Sequence, residues 1–185
     1  MNFVSRSGLA GQHAFLSPSQ YHWINYDDQK LVARYHTRRA AKRGSDLHEL
    51  ANKAIDLGVR MPRNQETISQ YVNDGLRFEM STEVALYYSD NCFGHADSIA
   101  FNRGVLRISD LKTGITASSV HQLEVYAALF CLEYGYSPYD IKIELRIYQT
   151  NEMRLFDGNP DVIARIMDTI VKFDDRIEQL REEER

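Results

Sequence analysis

Apolar positions along the chain change their spacing near residue 80, from helical stripes to strand-length runs. "LSPSQYHWI" reads as a helix start, with Ser17 as N-cap, Pro18 at the first helical position and Gln20 completing a capping box. A second helix is expected over about 29–42, where Lys30, Arg34, Arg38 and Lys42 fall on one stripe. "RGSDLHELANKAIDLG" reads as a third: Ser45 caps it, Gly58 ends it, and Leu47, Leu50, Ala51, Ala54 and Ile55 face inward. A fourth covers 65–77. Beyond it, "EVALYY", "CFGHADSIAF" and "GVLRISDLK" have strand length, the last two joined by an "NRG" turn.

Helical spacing returns in "TASSVHQLEVYAALFCLEYG", which turns Val120, Leu123, Val125, Tyr126, Leu129 and Phe130 inward. "DIKIELRIYQT" alternates as a strand, and "EMRLF" is placed to pair with it. A last helix opens at Asn159 and Pro160 and buries Ile163, Ile166, Met167, Ile170 and Ile177. This order of elements predicts an α/β fold: a central mixed sheet flanked by helices, with a helical N-terminal portion. No internal repeat or linker divides the 185 residues, so a single domain over 1–185 is expected. Its parts are helical to about residue 78, sheet and helix over about 79–157, and helical again over about 159–185.

Composition narrows the setting. No run of about 18 apolar residues is present, which excludes a membrane span, and the first residues lack the apolar stretch of a secretion signal. Two cysteines, Cys92 and Cys131, are too few for a four-cysteine zinc site or iron–sulfur cluster from this chain alone. They read more readily as free thiols in a reducing cytoplasm than as a disulfide. A net charge of −4 argues against nucleic acid, but the distribution is uneven. Lys30, Arg34, Arg38, Arg39, Lys42 and Arg43 follow one another with no acidic residue between, while acidic residues dominate from Asp168 onward. The basic run is either a solvated helix face or a local surface for phosphates.

The chemistry lies in the hairpin. In "GVLRISDLK", Asp110 and Lys112 continue the even-numbered series of Leu106 and Ile108, so they point to the same apolar side. In the strand before it, alternation puts Phe93, His95, Asp97, Ile99 and Phe101 on one face, against the small Cys92, Gly94, Ala96, Ser98 and Ala100. If Phe101 opposes Leu106 and Ile99 opposes Ile108, then Asp97 opposes Asp110, at roughly 4.5–5.5 Å between Cβ atoms. Two carboxylates that close destabilise a sheet unless a cation lies between them. Two readings follow, a pair exposed on an edge hairpin or a divalent metal site, and the apolar face favours the metal.

"GHAD" ending in Asp97 and "DLK" from Asp110 to Lys112 resemble the split active site of the PD-(D/E)XK nucleases. "RGSDLHELA" with His48, "HQLEVYA" with Gln122 and Tyr126, and "LSPSQYHWI" narrow the resemblance to the RecB-like exonuclease branch of phage and prophage type, kin to CRISPR-adaptation exonucleases. It spans about residues 17–136. It implies a restriction-endonuclease-like core, with Asp97, Asp110, the carbonyl of Leu111 and His48 holding Mg²⁺ or Mn²⁺. Lys112 would orient or deprotonate the attacking water, and Gln122 and Tyr126 would hold substrate phosphate or the lysine. Related iron–sulfur members carry cysteines that this chain lacks, so no cluster is expected. Packing through Tyr21, Trp23 and Tyr26 would take over its stabilising role.

His121 is expected on the surface, His95 outside the site, and Glu83 as a strand-edge charge rather than a support for the carboxylates. The activity so implied is metal-dependent hydrolysis of phosphodiester bonds at DNA ends, in phage recombination or replication within a bacterial cytoplasm. Lys30, Arg34, Arg38 and Lys42 would line the DNA. A single-strand annealing protein and further copies of the chain are the partners expected by analogy. A structure-specific endonuclease and a catalytically silent nucleic-acid-binding module are the rival readings.

Overall fold

The computed structural model describes residues 14–184, which fall into two compact units, one ending at Arg43 and one beginning at Gly44. In the first, Pro18–Asn25 winds as 3-10 turns. Pro18 does open the segment, but the capping box does not form: the Ser17 hydroxyl meets Ser19 Oγ at 2.8 Å and Gln20 leaves helical geometry. The Trp23 indole N–H donates to the Ser17 carbonyl at 2.9 Å, which ties the segment into a tighter turn than an α-helix. Tyr21 is exposed, contrary to the packing expected of it.

The helices expected over 29–42 and from Ser45 are a single helix, α1, Asp28–Asp56. Ser45 is therefore interior rather than a cap. Gly44 does not stop the helix; it is buried there, because a Cβ would come within 2.7 Å of Thr113 Oγ1. Gly58 acts as expected, taking φ 69° just past the end while Val59 N closes back on Ala54 O at 2.8 Å. Within the first unit, Lys30, Arg34, Arg38 and Lys42 are all exposed; Lys30 lies over the Tyr26 ring and Arg38 over Phe15.

The second unit continues with α2 (Thr67–Arg77), β1 (Ser81–Ser89), β2 (Cys92–Asn102), β3 (Val105–Lys112), α3 (His121–Tyr134), β4 (Lys142–Gln149), β5 (Glu152–Asp157) and α4 (Pro160–Glu183). The fold is α/β. Its sheet has the order β1-β2-β3-β4-β5, antiparallel except for the parallel pair β3–β4 that α3 connects. Both two-residue hairpin turns, Arg103–Gly104 and Thr150–Asn151, have positive φ at each central residue, the geometry that matches strand twist.

On one face of the sheet, Leu106, Ile108, Leu145 and Ile147 pack under Leu123 and Ala127 of α3 and Ile163 of α4. On the other, Leu111 and Tyr148 pack with Ala51, Ala54 and Ile55 of α1 and with Tyr71 and Val72 of α2. Sheets covered on both faces blur the polar–apolar alternation, and β4 shows it: every residue from Ile143 to Gln149 is buried, Glu144 and Arg146 included. Three residues expected inside face outward, namely Leu50, Val125 and Ile177. Asn159 caps α4 as expected, accepting from Asp161 N and Val162 N. Both cysteines are free thiols; burial raises Cys92 above its ordinary value and pushes Cys131 up to about 11. No helix among the described residues is long and apolar enough to cross a membrane.

Candidate functional site

Phe101 faces Leu106 and Ile99 faces Ile108, the register expected from hydrophobic matching. The β2–β3 ladder ends one pair later, at Ser98–Ser109. Asp97 and Asp110 come directly after that last pair. Alternation along β2 does not run through unbroken, however. Ala96 and Ile99 both enter the core under α3, whereas Ser98 turns to Met80, and Phe93 and His95 are exposed. The faces change over at Asp97.

The cause stands in β1. Thr82 pairs with Ser98 and Val84 with Ala96, which sets Glu83 opposite Asp97. Glu83 has φ 49°, a left-handed backbone that a non-glycine residue adopts at a cost. Irregularities of this kind re-aim side chains within a sheet.

The expected site residues of the second unit converge here. His48 Nδ1, from α1, lies 3.5 Å from Asp97 Oδ2, and the Leu111 backbone N–H donates to the same oxygen at 2.9 Å. Lys112 Nζ sits 2.9 Å from Asp110 Oδ1 and donates to Gln122 Oε1 at 3.1 Å. Gln122 Nε2 in turn donates to Tyr126 Oη at 3.2 Å. Gly94, of the "GHAD" stretch, leaves room for this tyrosine: a Cβ there would approach Tyr126 Cε1 to 3.0 Å.

Three supports were not expected. Gln149, beside Lys112 in the parallel ladder, donates to Gly114 O at 2.6 Å and Thr116 O at 2.7 Å and accepts from Ser118 N, pinning the loop that leads to α3. Asn52, one turn after His48, donates to Glu83 Oε1 at 2.7 Å. Glu83 is thus tied to the α1 turn that carries His48, more than the strand-edge charge expected. Tyr71 is buried, its phenol pushed well above the ordinary range by burial and by the charges of Asp97, Asp110 and Glu83. The i, i+4 spacing of His48 and Asn52 was visible in the sequence; no local signal marked Tyr71 or Gln149. His121 is on the surface as expected, paired with Glu124.

Electrostatically the cluster is short of positive charge. Burial pushes the Asp97 carboxyl above its ordinary value; the Leu111 N–H opposes the rise and the charge of Asp110 adds to it. Asp110, 3% exposed, has Lys112 as its salt bridge. Among the described residues no three His, Cys, Asp or Glu side chains are drawn together as a preformed metal cage, since Asp110 turns to Lys112. The donor chemistry nevertheless suits a divalent cation: an imidazole and two carboxylates, one of them kept from easy ionisation by burial first and by the other's charge second.

No protein-family model matches the chain, and no curated protein matches it. Among solved structures, one titled "Crystal structure of SSO0001" is similar over 82% of this chain and 68% of its own, at 13% identity and a TM-score of 0.36.

Proposed function

We propose that this chain is a divalent-metal-dependent deoxyribonuclease of the PD-(D/E)XK type that removes nucleotides from DNA ends, in phage recombination or replication. One observation carries the reading: His48, Asp97, Asp110, Lys112, Gln122 and Tyr126, from four elements, meet at the place where β2 and β3 part. A purely structural hairpin has no need of two carboxylates beside one another at the end of a core strand.

His48, Asp97 and Asp110, with the Leu111 carbonyl, would hold Mg²⁺ or Mn²⁺. Bound there, the ion supplies Lewis acidity toward a phosphoryl oxygen and a more acidic water. Lys112 is held between Asp110 and Gln122, where it meets either the proton of the attacking water or the charge on the phosphate. Gln122 and Tyr126 fix the lysine's position and present further donors to a phosphate. Lys30, Arg34, Arg38 and Lys42 contact backbone phosphates, an interaction that weakens with salt.

The test is cleavage of end-labelled linear DNA beside covalently closed circular DNA in Mn²⁺. Wild type should degrade the linear substrate alone, and Lys112→Ala should lose on the order of 10²–10⁴-fold in rate. Cutting of both substrates would instead identify an endonuclease. Equal inertness of wild type and variant, with DNA still bound, would identify a silent binding module.

A further inference from the structure

We propose a second phosphate-binding site on the large unit, formed by Arg60, Arg63 and Arg77 and occupied by the backbone of the nucleic acid. It rests on the nuclease reading for the identity of its ligand. The three arginines line a concavity of about 450 Å³ between the chain that follows α1 and the end of α2. None of the residues that gather around His48 and Lys112 takes part in it.

Three observations make it a site rather than a scatter of surface charge. First, its single carboxylate is already committed. Asp74 Oδ2 accepts from the Tyr148 hydroxyl at 2.8 Å and from Arg146 Nη1 at 3.4 Å, so its charge is answered from inside the sheet. No carboxylate pairs with Arg60, Arg63 or Arg77 among the described residues, which leaves three positive charges without an answer. Second, the segment that carries Arg60 and Arg63 is fastened. The Asn73 side chain accepts from Met61 N and donates to Met61 O, both at 3.1 Å, so it holds the backbone from both sides. Third, Arg77 is braced across the Phe78 ring, 5.1 Å from its centroid, which limits where its guanidinium points. Guanidinium groups present paired donors that match phosphate oxygens, and holding them in place beforehand lowers the entropy lost on binding.

The occupant follows from the charge and the shape. A concavity open to solvent with three separate guanidinium groups suits consecutive phosphates of a strand better than one small anion.

The experiment measures fluorescence anisotropy of a labelled DNA duplex binding to the Lys112→Ala protein, which holds substrate without turning it over. The comparison protein adds Arg60→Gln, Arg63→Gln and Arg77→Gln. The expected result is at least a tenfold loss of affinity, a salt dependence shallower by about 2 to 3 in logarithmic slope, at roughly 0.9 per phosphate contact, and an unchanged melting temperature. Should the triple variant unfold, Arg60→Gln with Arg63→Gln alone leaves α2 untouched and should still lose part of both effects. Unchanged affinity and slope would overturn the site while wild-type cleavage kept the nuclease reading intact. Displacement of the duplex from the arginines by a mononucleotide at equal phosphate concentration would overturn the polynucleotide occupant in favour of a small anion. Absence of both binding and cleavage would overturn site and nuclease reading together.

Discussion

Two groups of buried charge lie on the same sheet, and they are built on opposite plans. Around Glu144 the carboxylate is answered from three sides, although Arg146 Nε is buried with no hydrogen-bond partner among the described residues. The carboxylate meets Arg107 Nε at 2.9 Å, Arg146 Nη2 at 3.0 Å and Lys142 Nζ at 2.9 Å, and the guanidinium groups of Arg107 and Arg146 also lie over the Phe78 ring. Burial alone would raise the Glu144 carboxyl, but the hydrogen bonds from Lys142 and Arg146 and the charge of Arg107 outweigh it and hold it below its ordinary value. Around Asp97 the balance fails: an imidazole at 3.5 Å, one backbone N–H and the charge of Lys112 do not offset burial and a second carboxylate. A group that closes on itself serves the fold. One left short of cations has room for a ligand.

Removing charge from each group therefore has opposite consequences. Asp97→Asn should abolish cleavage at least as fully as Lys112→Ala, on the order of 10²–10⁴-fold, yet raise the melting temperature of the metal-free protein. A fall in that temperature would mean Asp97 belongs to the structural kind. Arg146→Met should do the reverse, costing about 3–5 kcal/mol in urea unfolding because Glu144 and Asp74 lose a shared partner. Such a loss is a large fraction of a domain's whole stability. If Arg146→Met proved neutral, the contrast between the two groups would collapse.

Gly44→Ala tests the approach of α1 to the end of β3. Alanine favours the helix by about 1 kcal/mol, but its methyl would press on Thr113 Oγ1, and overpacking costs about 1–3 kcal/mol. A net destabilisation is expected, with loss of cleavage because His48 sits one turn further on. Relief on also changing Thr113→Ala would confirm the cause.

The smallest effect is on the acid side. The folded Glu144 carboxyl lies below its unfolded value, so its contribution is complete above the ordinary carboxylate range and is lost as pH falls through the folded value. Glu144→Gln should flatten the acid limb of stability against pH, read as denaturation midpoints in a pH series. An unaltered limb would show that other carboxylates set it.

Much of this was legible from residue order alone. Hydrophobic matching was enough to set Ile99 opposite Ile108, because a slip of one residue would turn a whole apolar row to solvent. It was also enough to bring Asp97 and Asp110 together. What escaped depends on contacts between distant segments. Gly44 and Ser45 look like a helix boundary until Thr113 is known to pack against the glycine. Glu144 and Arg146 look like the wet side of a strand until α2 covers them. The change of faces at Asp97 needs the left-handed Glu83 across the ladder, which no periodicity within β2 announces.

The two thiols have a practical consequence for the laboratory. Cys92 and Cys131 are both held toward the protonated form, the second also out of contact with solvent, and thiolate is the form that alkylating reagents attack. Both thiols are thereby slowed toward such reagents, the buried Cys131 more than the half-buried Cys92, which favours labelling at an introduced, fully exposed cysteine. Ile115, 91% exposed in the loop that Gln149 pins, is the natural place for the dye, and Ile115→Cys would put a reporter three residues from Lys112.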